Sequence, residues 1–448
     1  MGSERLTTEP RILIVTRDEF LIGPLAEGME KLGWPAVIAR SAAAAVAAVS
    51  DRMIEAAIVD LTGDDFADLP QRLQDASAPR RLPVIAVGAP PEDATGIDLT
   101  LSAPVHPAQA VLRLESLVRM AIAEEEFELR RQTFAERGKT LELPQVPDTP
   151  YRVLAIGEPA PQFLALSNAL ARTGAEMVGA FTAFTAFDYL HERPFDAVVL
   201  WAGENESEAM SIAAGMRRNT RLYHVPTMLY LGEGSRVTMS EAFHRGVSDI
   251  ASPKTPETET ARRVIELARC YRRQTAIRQA LEKARSSGLM DAATGLFTRD
   301  LFAAHLARLA EAAEERHRPL SVCVLRVADS TTIAAARDGG WLDRAVPQIG
   351  SMIGRLVRAE DTAARLGPEV FALAFPSTPV TAAKSAADRI TAVIACTAFD
   401  AGEGKSPFVA DFQVGLAQLQ PGESISSLVE RAGSKALQRE PGTPKLAG

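Results

Sequence analysis

Short apolar runs alternate with stretches of helical period from Arg11 onward. Residues 12–15 are apolar, a helical pattern runs on to Leu32, residues 37–39 are apolar again, and an alanine-rich helical stretch follows. Residues 57–61 and 84–87 continue the series. Strands separated by helix-length segments predict a parallel sheet covered on both faces, a doubly wound α/β domain over residues 10–140 with an extended last helix. That helix sets out from Pro107 with Val111, Leu114, Leu117, Val118 and Ile122 at helical spacing, then turns heavily charged through residues 124–131. A Pro-bearing linker at residues 143–150 closes the pattern.

The alternation restarts at Tyr151, with apolar runs at 153–156, 197–200 and 227–230. It reads as an internal repeat of the first unit, a second doubly wound domain over residues 151–285. Thr255-Pro256 followed by Glu257 and Glu259 predicts the start of a long helix, with Thr255 as its N-cap. Val264, Leu267, Tyr271 and Leu281 supply its apolar positions, while Arg262, Arg263, Arg269, Arg272, Arg273 and Arg278 read as a solvated face. A third domain is expected over residues 286–440. Within it, residues 358–371 combine a loop, a tight Gly-Pro turn and an apolar run at 370–375 that ends at Pro376, which predicts a hairpin with one buried strand.

Composition narrows the partners. The 448 residues are too many for one core. With a formal net charge of −8 and a pI near 5.5, the chain has no basic footprint for nucleic acid and no polybasic run for a membrane surface. Cys270, Cys323 and Cys396 are odd in number and widely spaced, so they read as reduced core residues, and no metal-ligand cluster stands out. No stretch of eighteen apolar residues occurs, so a cytoplasmic protein without a membrane span is expected.

Residues 358–371 read R-A-E-D-T-A-A-R-L-G-P-E-V-F, with Arg358 and Asp361 preceding the segment from Gly367 to Phe371 by five residues. Upstream, residues 291–299 read D-A-A-T-G-L-F-T-R. Both resemble the signatures of GGDEF domains, the diguanylate cyclases, which have an α+β, nucleotidyl-cyclase-like fold. The resemblance implies an R-x-x-D inhibitory site that binds cyclic di-GMP through Arg358 and Asp361, with Arg389 of the segment A-D-R-I at 387–390 as a third ligand. The chemistry suits a guanine base: an arginine fork matches O6 and N7, and a carboxylate accepts from N1–H and N2–H₂. A surface ion pair between Arg358 and Asp361 is the plainer alternative.

The catalytic positions depart from that family. Arg326 stands where the resemblance places a metal-binding Asp, Pro368 replaces the second glycine of the hairpin, and Val370 replaces its glutamate. Gly367 and Glu369 remain, and one carboxylate cannot hold Mg²⁺, so no catalytic residue and no metal are expected. A solvated Glu369 and a residual or GTP-binding cyclase-like site stay open as alternatives.

The first unit resembles a response-regulator receiver, a flavodoxin-like fold. Asp60 matches the phosphoacceptor, but Thr16 and Arg17 stand at the acidic pair, Gly88 at the Ser/Thr and Ala103 at the Lys, with Pro104 kept and Asp18 able to supply one acid by a local shift. In the second unit Gly157 and Glu158, Trp201 and Leu231 occupy the matching places, and the lysine is absent from residues 246–253. Phosphoryl transfer needs the metal as well as the aspartate, so signalling through Asp60 is the weaker expectation. Two receiver-like domains followed by a GGDEF domain resemble the layout of PleD-type response regulators. That layout implies a non-catalytic cyclic di-GMP effector, an adaptor recruiting protein partners for regulated proteolysis in cell-cycle control, with recruitment to a cell pole. A homodimer through the receiver-like domains is expected.

Overall fold

The computed structural model describes residues 11–51, 54–61, 66–88, 90–91, 94–203, 206–219, 221–222, 224–283 and 288–437. Two compact units emerge, one of residues 1–121 with 145–276 and the other of residues 122–144 with 277–448.

Unit one holds two five-stranded parallel sheets. The first is built from β1 (Arg11–Val15), β2 (Ala36–Ala39), β3 (Ile54–Asp60), β4 (Val84–Val87) and β5 (Leu99–Leu101) in the spatial order β2-β1-β3-β4-β5. Helices α1 (Glu19–Lys31), α2 (Ala42–Asp51) and α3 (Leu69–Ser77) connect the strands, and α4 (Pro107–Ala135) follows. The second sheet repeats this order with β6 (Arg152–Ile156), β7 (Glu176–Ala180), β8 (Ala197–Ala202), β9 (Thr227–Leu231) and β10 (Asp249–Ala251), arranged β10-β9-β8-β6-β7. Its helices are α5 (Pro161–Arg172), α6 (Ala183–Glu192), α7 (Glu206–Arg218), α8 (Met239–His244) and α9 (Glu257–Lys283). Central strands β3 and β8 are buried along their whole length, which is why β8 reads as an unbroken apolar run and β3 as one interrupted only by Glu55 and ended by Asp60, rather than as alternating strands. The order 2-1-3-4-5 is that of doubly wound flavodoxin-like folds.

The arginine-rich face of α9 is only partly solvated. Arg263 is buried and donates through Nε (2.9 Å) and Nη2 to Asp249 on β10, which also accepts from Arg113 of α4 at 2.8 Å. Burial opposes the ionisation of Asp249, but the two guanidiniums outweigh it and hold the carboxyl below the ordinary range. Arg272 likewise forks onto Asp196 at 2.7 and 2.6 Å, reaches the carbonyls of Thr149 and Pro150, and lies over the Tyr151 ring. Composition alone cannot separate such internal staples from solvated arginines. Thr255 also differs from expectation: α9 starts at Glu257, and the Thr255 hydroxyl accepts from the Ser252 N–H instead of capping the helix.

Unit two is an antiparallel sheet of four strands in the order β12-β13-β11-β14, with β11 (Leu320–Val327), β12 (Thr362–Gly367), β13 (Val370–Pro376) and β14 (Phe412–Gln418). Helices α10 (Arg299–Glu315), α11 (Thr331–Asp338), α12 (Trp341–Leu356), α13 (Val380–Ala395) and α14 (Ile425–Leu437) pack around it. Alternation along the strands sends Cys323, Leu325, Phe371 and Leu373 into one core, and Val322, Val324, Ala372 and Ala374 into the other. The second core also takes Ala123, Phe127 and Phe134 from the end of α4. Helix α14 lies so close to β14 that a Cβ on Gly415 would stand 1.9 Å from the Ala432 carbonyl oxygen, so this crossing requires glycine. Of the three cysteines, Cys323 is core and burial pushes its thiol up to about 12, Cys270 is half-buried, and Cys396 is exposed, contrary to a core role for all three. Leu281, expected on the apolar side of α9, and Ser286 at the domain junction lie outside the described side chains and residues.

Candidate ligand-binding site

Helix α12 buries Leu342, Val346, Ile349 and Ile353 on one face, and the chain leaves it at Leu356 for a short loop that leads into β12. Two hydrogen bonds set the shape of this loop. The Arg358 N–H donates to Asp361 Oδ2 at 3.0 Å, and the Asp361 N–H donates back to the Arg358 carbonyl at 3.3 Å. The Asp361 side chain therefore turns inward and is buried, while the Arg358 side chain is 44% exposed with its nearest acid, Glu360, at 4.0 Å. The expected Arg358–Asp361 surface ion pair is not what holds the loop: the aspartate is bound by a backbone N–H. Burial, together with the Glu360 charge, pushes the Asp361 carboxyl up to about 7, against the Arg358 hydrogen bond and the charges of Arg358 and Arg130.

Arg389 comes to the same loop from α13. That helix buries Ala383, Ala387, Ile390 and Ile394, so Arg389 lies on its exposed side, where Nη2 donates to the Leu356 carbonyl at 3.4 Å. The three residues expected to act together thus come from one loop and one neighbouring helix. Sequence reasoning missed what lies under the loop. Arg130 Nη2 donates to the Asp361 carbonyl at 2.9 Å and to Thr362 Oγ1 at 3.0 Å. Its signal in the sequence was slight, the apolar Phe127 and Phe134 spaced within a charged run.

The hairpin tip is built differently. Arg326 pairs in register with Val370 on one side and Gln413 on the other, so the cation and the valine are direct cross-strand neighbours. Glu369 is not a free solvated residue: Arg337 of α11 forks onto it with Nε–Oε1 at 2.7 Å and Nη2–Oε2 at 2.8 Å, and also reaches Asp329 at 2.9 Å. Arg365 donates to the carbonyls of Gly367 at 3.2 Å and Pro368 at 3.3 Å, with Asp291 behind it at 3.5 Å. Pro368 fixes φ near −65°, which rules out the primed turns usual for two-residue hairpins, and the pairing register shifts between Arg365 and Gly367. Among the described residues no three His, Cys, Asp or Glu side chains gather as a metal site.

In unit one, Asp60 ends β3 buried, and the Thr16 hydroxyl donates to its Oδ2 at 2.6 Å. Asp18 is exposed and gives its N–H to the same hydroxyl at 3.0 Å. At the matching place on β8, Trp201 stacks on Tyr230 with centroids 4.1 Å apart and planes 7° apart. Gly157 has φ +129°, and a Cβ there would meet the Cβ and the carbonyl oxygen of Trp201 at 2.7 Å, so the two strand ends approach too closely at this point for a side chain.

Residues 288–441 match the family model of the diguanylate cyclase GGDEF domain, about a third of the chain, and this part of the protein is a GGDEF domain. Similar solved structures include the GGDEF domain of DgcB from Caulobacter crescentus in complex with c-di-GMP, at 25% identity over 34% of this chain and 86% of that one, TM-score 0.31. The diguanylate cyclase SiaD from Pseudomonas aeruginosa, solved with its activator SiaC, is 23% identical over 40% and 68%, TM-score 0.32. A putative response regulator from Chloroflexus aurantiacus is 16% identical over 27% and 99%, TM-score 0.26. No curated protein matches the chain. Among the described residues no helix is long and apolar enough to cross a membrane.

Proposed function

We propose that this protein is a non-catalytic cyclic di-GMP effector, similar to PopA in layout, in which two receiver-like domains precede a GGDEF domain that keeps its inhibitory-type site without a working cyclase site. Arg358 would offer its fork to guanine O6 and N7 or to a phosphate, Asp361 would accept from N1–H and N2–H₂, and Arg389 would add the second cation. The observation that carries this reading is the bond from Arg389 to the Leu356 carbonyl, which brings a second exposed guanidinium to the loop of Arg358.

The hairpin residues do not fit Mg²⁺. A permanent cation, Arg326, stands beside Val370, and the one remaining carboxylate, Glu369, already lies in the Arg337 fork. For Asp60, a neutral hydroxyl from Thr16 takes the place of an acid that would help hold the metal, so phosphorylation is the lesser input. The second receiver-like domain, with Trp201 where the resemblance places the phosphoacceptor, serves structure or homodimerisation. The adaptor role in regulated proteolysis, with recruitment to a cell pole, rests on the PopA-like layout alone.

Calorimetry with cyclic di-GMP on the wild type and on Arg358→Ala tests the ligand, with a micromolar or tighter Kd expected for the wild type and a clear loss in the variant. Equal heats from the two proteins would sink the assignment. Incubation with GTP and Mg²⁺ is expected to yield no cyclic di-GMP, and turnover above blank would return the protein to the enzymes.

A further inference from the structure

Beneath the R-x-x-D loop a buried polar cluster ties the ligand residues to the end of α4. Glu126, Arg130, Thr133, His305 and Thr362 are all buried. One oxygen, Glu126 Oε1, accepts from Arg130 Nε at 2.5 Å and from Thr362 Oγ1 at 3.2 Å, and lies 2.9 Å from His305 Nε2. The His305 ring bridges Glu126 and Thr133: its Nδ1 lies 3.1 Å from the Thr133 hydroxyl, which donates to the Leu129 carbonyl at 2.9 Å, and burial lowers the His305 pKa against the pull of the Glu126 charge. The other oxygen, Glu126 Oε2, is buried without a hydrogen-bond partner. Phe297 lies against the Arg130 guanidinium at 5.7 Å, which completes its enclosure.

Arg130 has no carboxylate partner in the loop; it binds the loop's main chain. Its Nη2 holds the Asp361 carbonyl, which belongs to the peptide that follows Asp361, and the side-chain hydroxyl of Thr362, the next residue. A planar fork fixed by Glu126 at one end sets that peptide's orientation at the other, and with it the direction of the Asp361 side chain. We infer that Arg130 is a positioning residue for the cyclic di-GMP loop, and that ligand binding is coupled to the packing of residues 122–135 against the GGDEF sheet. This rests on the effector reading above. Coupling of this kind is reciprocal: whatever loosens residues 122–135 weakens the ligand by the same factor that the ligand tightens them. The charged and titratable groups around Asp361 are Arg358 and Glu360 on its own loop, Arg130 and Glu126 on α4 with His305 of α10 behind them, and Arg389 of α13, which reaches the Leu356 carbonyl where the loop begins.

The test uses the full-length protein and cyclic di-GMP. Hydrogen exchange on the wild type is expected to slow several-fold across residues 122–135 at saturating ligand. Arg130→Met is expected to weaken binding about tenfold, the size of one charge-assisted hydrogen bond. It should also move the pH midpoint of binding upward, because a cation that favours the Asp361 carboxylate is gone. Arg130→Lys keeps the charge and should leave that midpoint in place while losing part of the affinity. Because Arg130→Met strands Glu126 in the interior, the double variant Glu126→Gln/Arg130→Met serves if the single one does not fold. Wild-type protein that binds with unchanged exchange over residues 122–135, or a folded double variant that binds like the wild type, would overturn the inference. No binding by the wild type would instead remove the effector reading itself, and this inference with it.

Discussion

The R-x-x-D loop and the hairpin tip are the two ends of one strand, β12, yet their arginines are used in opposite ways. At the hairpin, Arg337 gives its fork to Glu369 and Asp329, and Arg365 caps the carbonyls of Gly367 and Pro368. At the loop, Arg358 has only a distant acid at 4.0 Å, and Arg389 holds one carbonyl at 3.4 Å. A guanidinium has five donors in a fixed plane, and those already engaged by internal acceptors are not offered to a ligand. Arginines are thus abundant at both ends, but only the loop presents open forks beside a buried carboxyl that can take up or release a proton.

The sharpest way to break this contrast is to remove one group from each end. Arg358→Ala should lose about 1.5–3 kcal/mol of ligand binding, roughly ten- to a hundredfold in Kd, as expected for charge-assisted hydrogen bonds. Glu369→Gln should change Kd by less than about twofold, since it removes an acceptor that serves only Arg337. Calorimetry on both variants decides it, and a larger loss from Glu369→Gln would reverse the assignment of the two ends.

A second effect, of about tenfold, comes from pH. Asp361 carries a carboxyl pushed up to about 7 by burial and by Glu360. Only the ionised form accepts both guanine donors, so affinity should rise about tenfold from pH 6 to pH 8 and level off above. Stability runs the other way. The folded protein holds this proton more tightly than the unfolded chain, so the contribution is fully present below the ordinary value of 3.8 and is lost as pH climbs to about 7. Thermal melts of wild type and Asp361→Asn over that window should differ in slope, with the asparagine variant lacking this loss. Parallel curves would place the Asp361 proton elsewhere.

What could be read in advance divides along the same line. The doubly wound sheets were legible because buried parallel strands are continuous apolar runs, and residues 12–15, 84–87 and 153–156 carry no polar interruption. The hairpin and its buried strand were legible from Pro368 and the run that ends at Pro376. The partners of the charged residues were not. Glu126 and Arg130 stand four apart in a charged run, the usual pattern of a solvated helix, and only the packing of Phe127 and Phe134 turns that face inward. Arg337 and Glu369 are 32 residues apart with nothing local to relate them, and Arg263 looked like five other arginines until β10 placed Asp249 beneath it. Apolar period reports burial directly, whereas the pairing of charges depends on which distant elements the fold brings together.

The smallest expected effect sharpens the comparison from the hairpin side. Arg337→Ala frees Glu369 from its fork, leaving the carboxylate with the backbone of the turn around it. The pair is partly exposed, at 42% and 22% for the two side chains, so its loss should move the urea midpoint only slightly. Freed or not, Glu369 remains one carboxylate beside Arg326, so the variant should gain no Mg²⁺-dependent binding of GTP, and its affinity for cyclic di-GMP should match the wild type. Titration with GTP, with and without Mg²⁺, alongside a urea melt, measures both halves. If the variant bound GTP in a Mg²⁺-dependent way, the hairpin would be a nucleotide site held shut by Arg337, and the difference between the two ends of β12 would be one of regulation, not of loss.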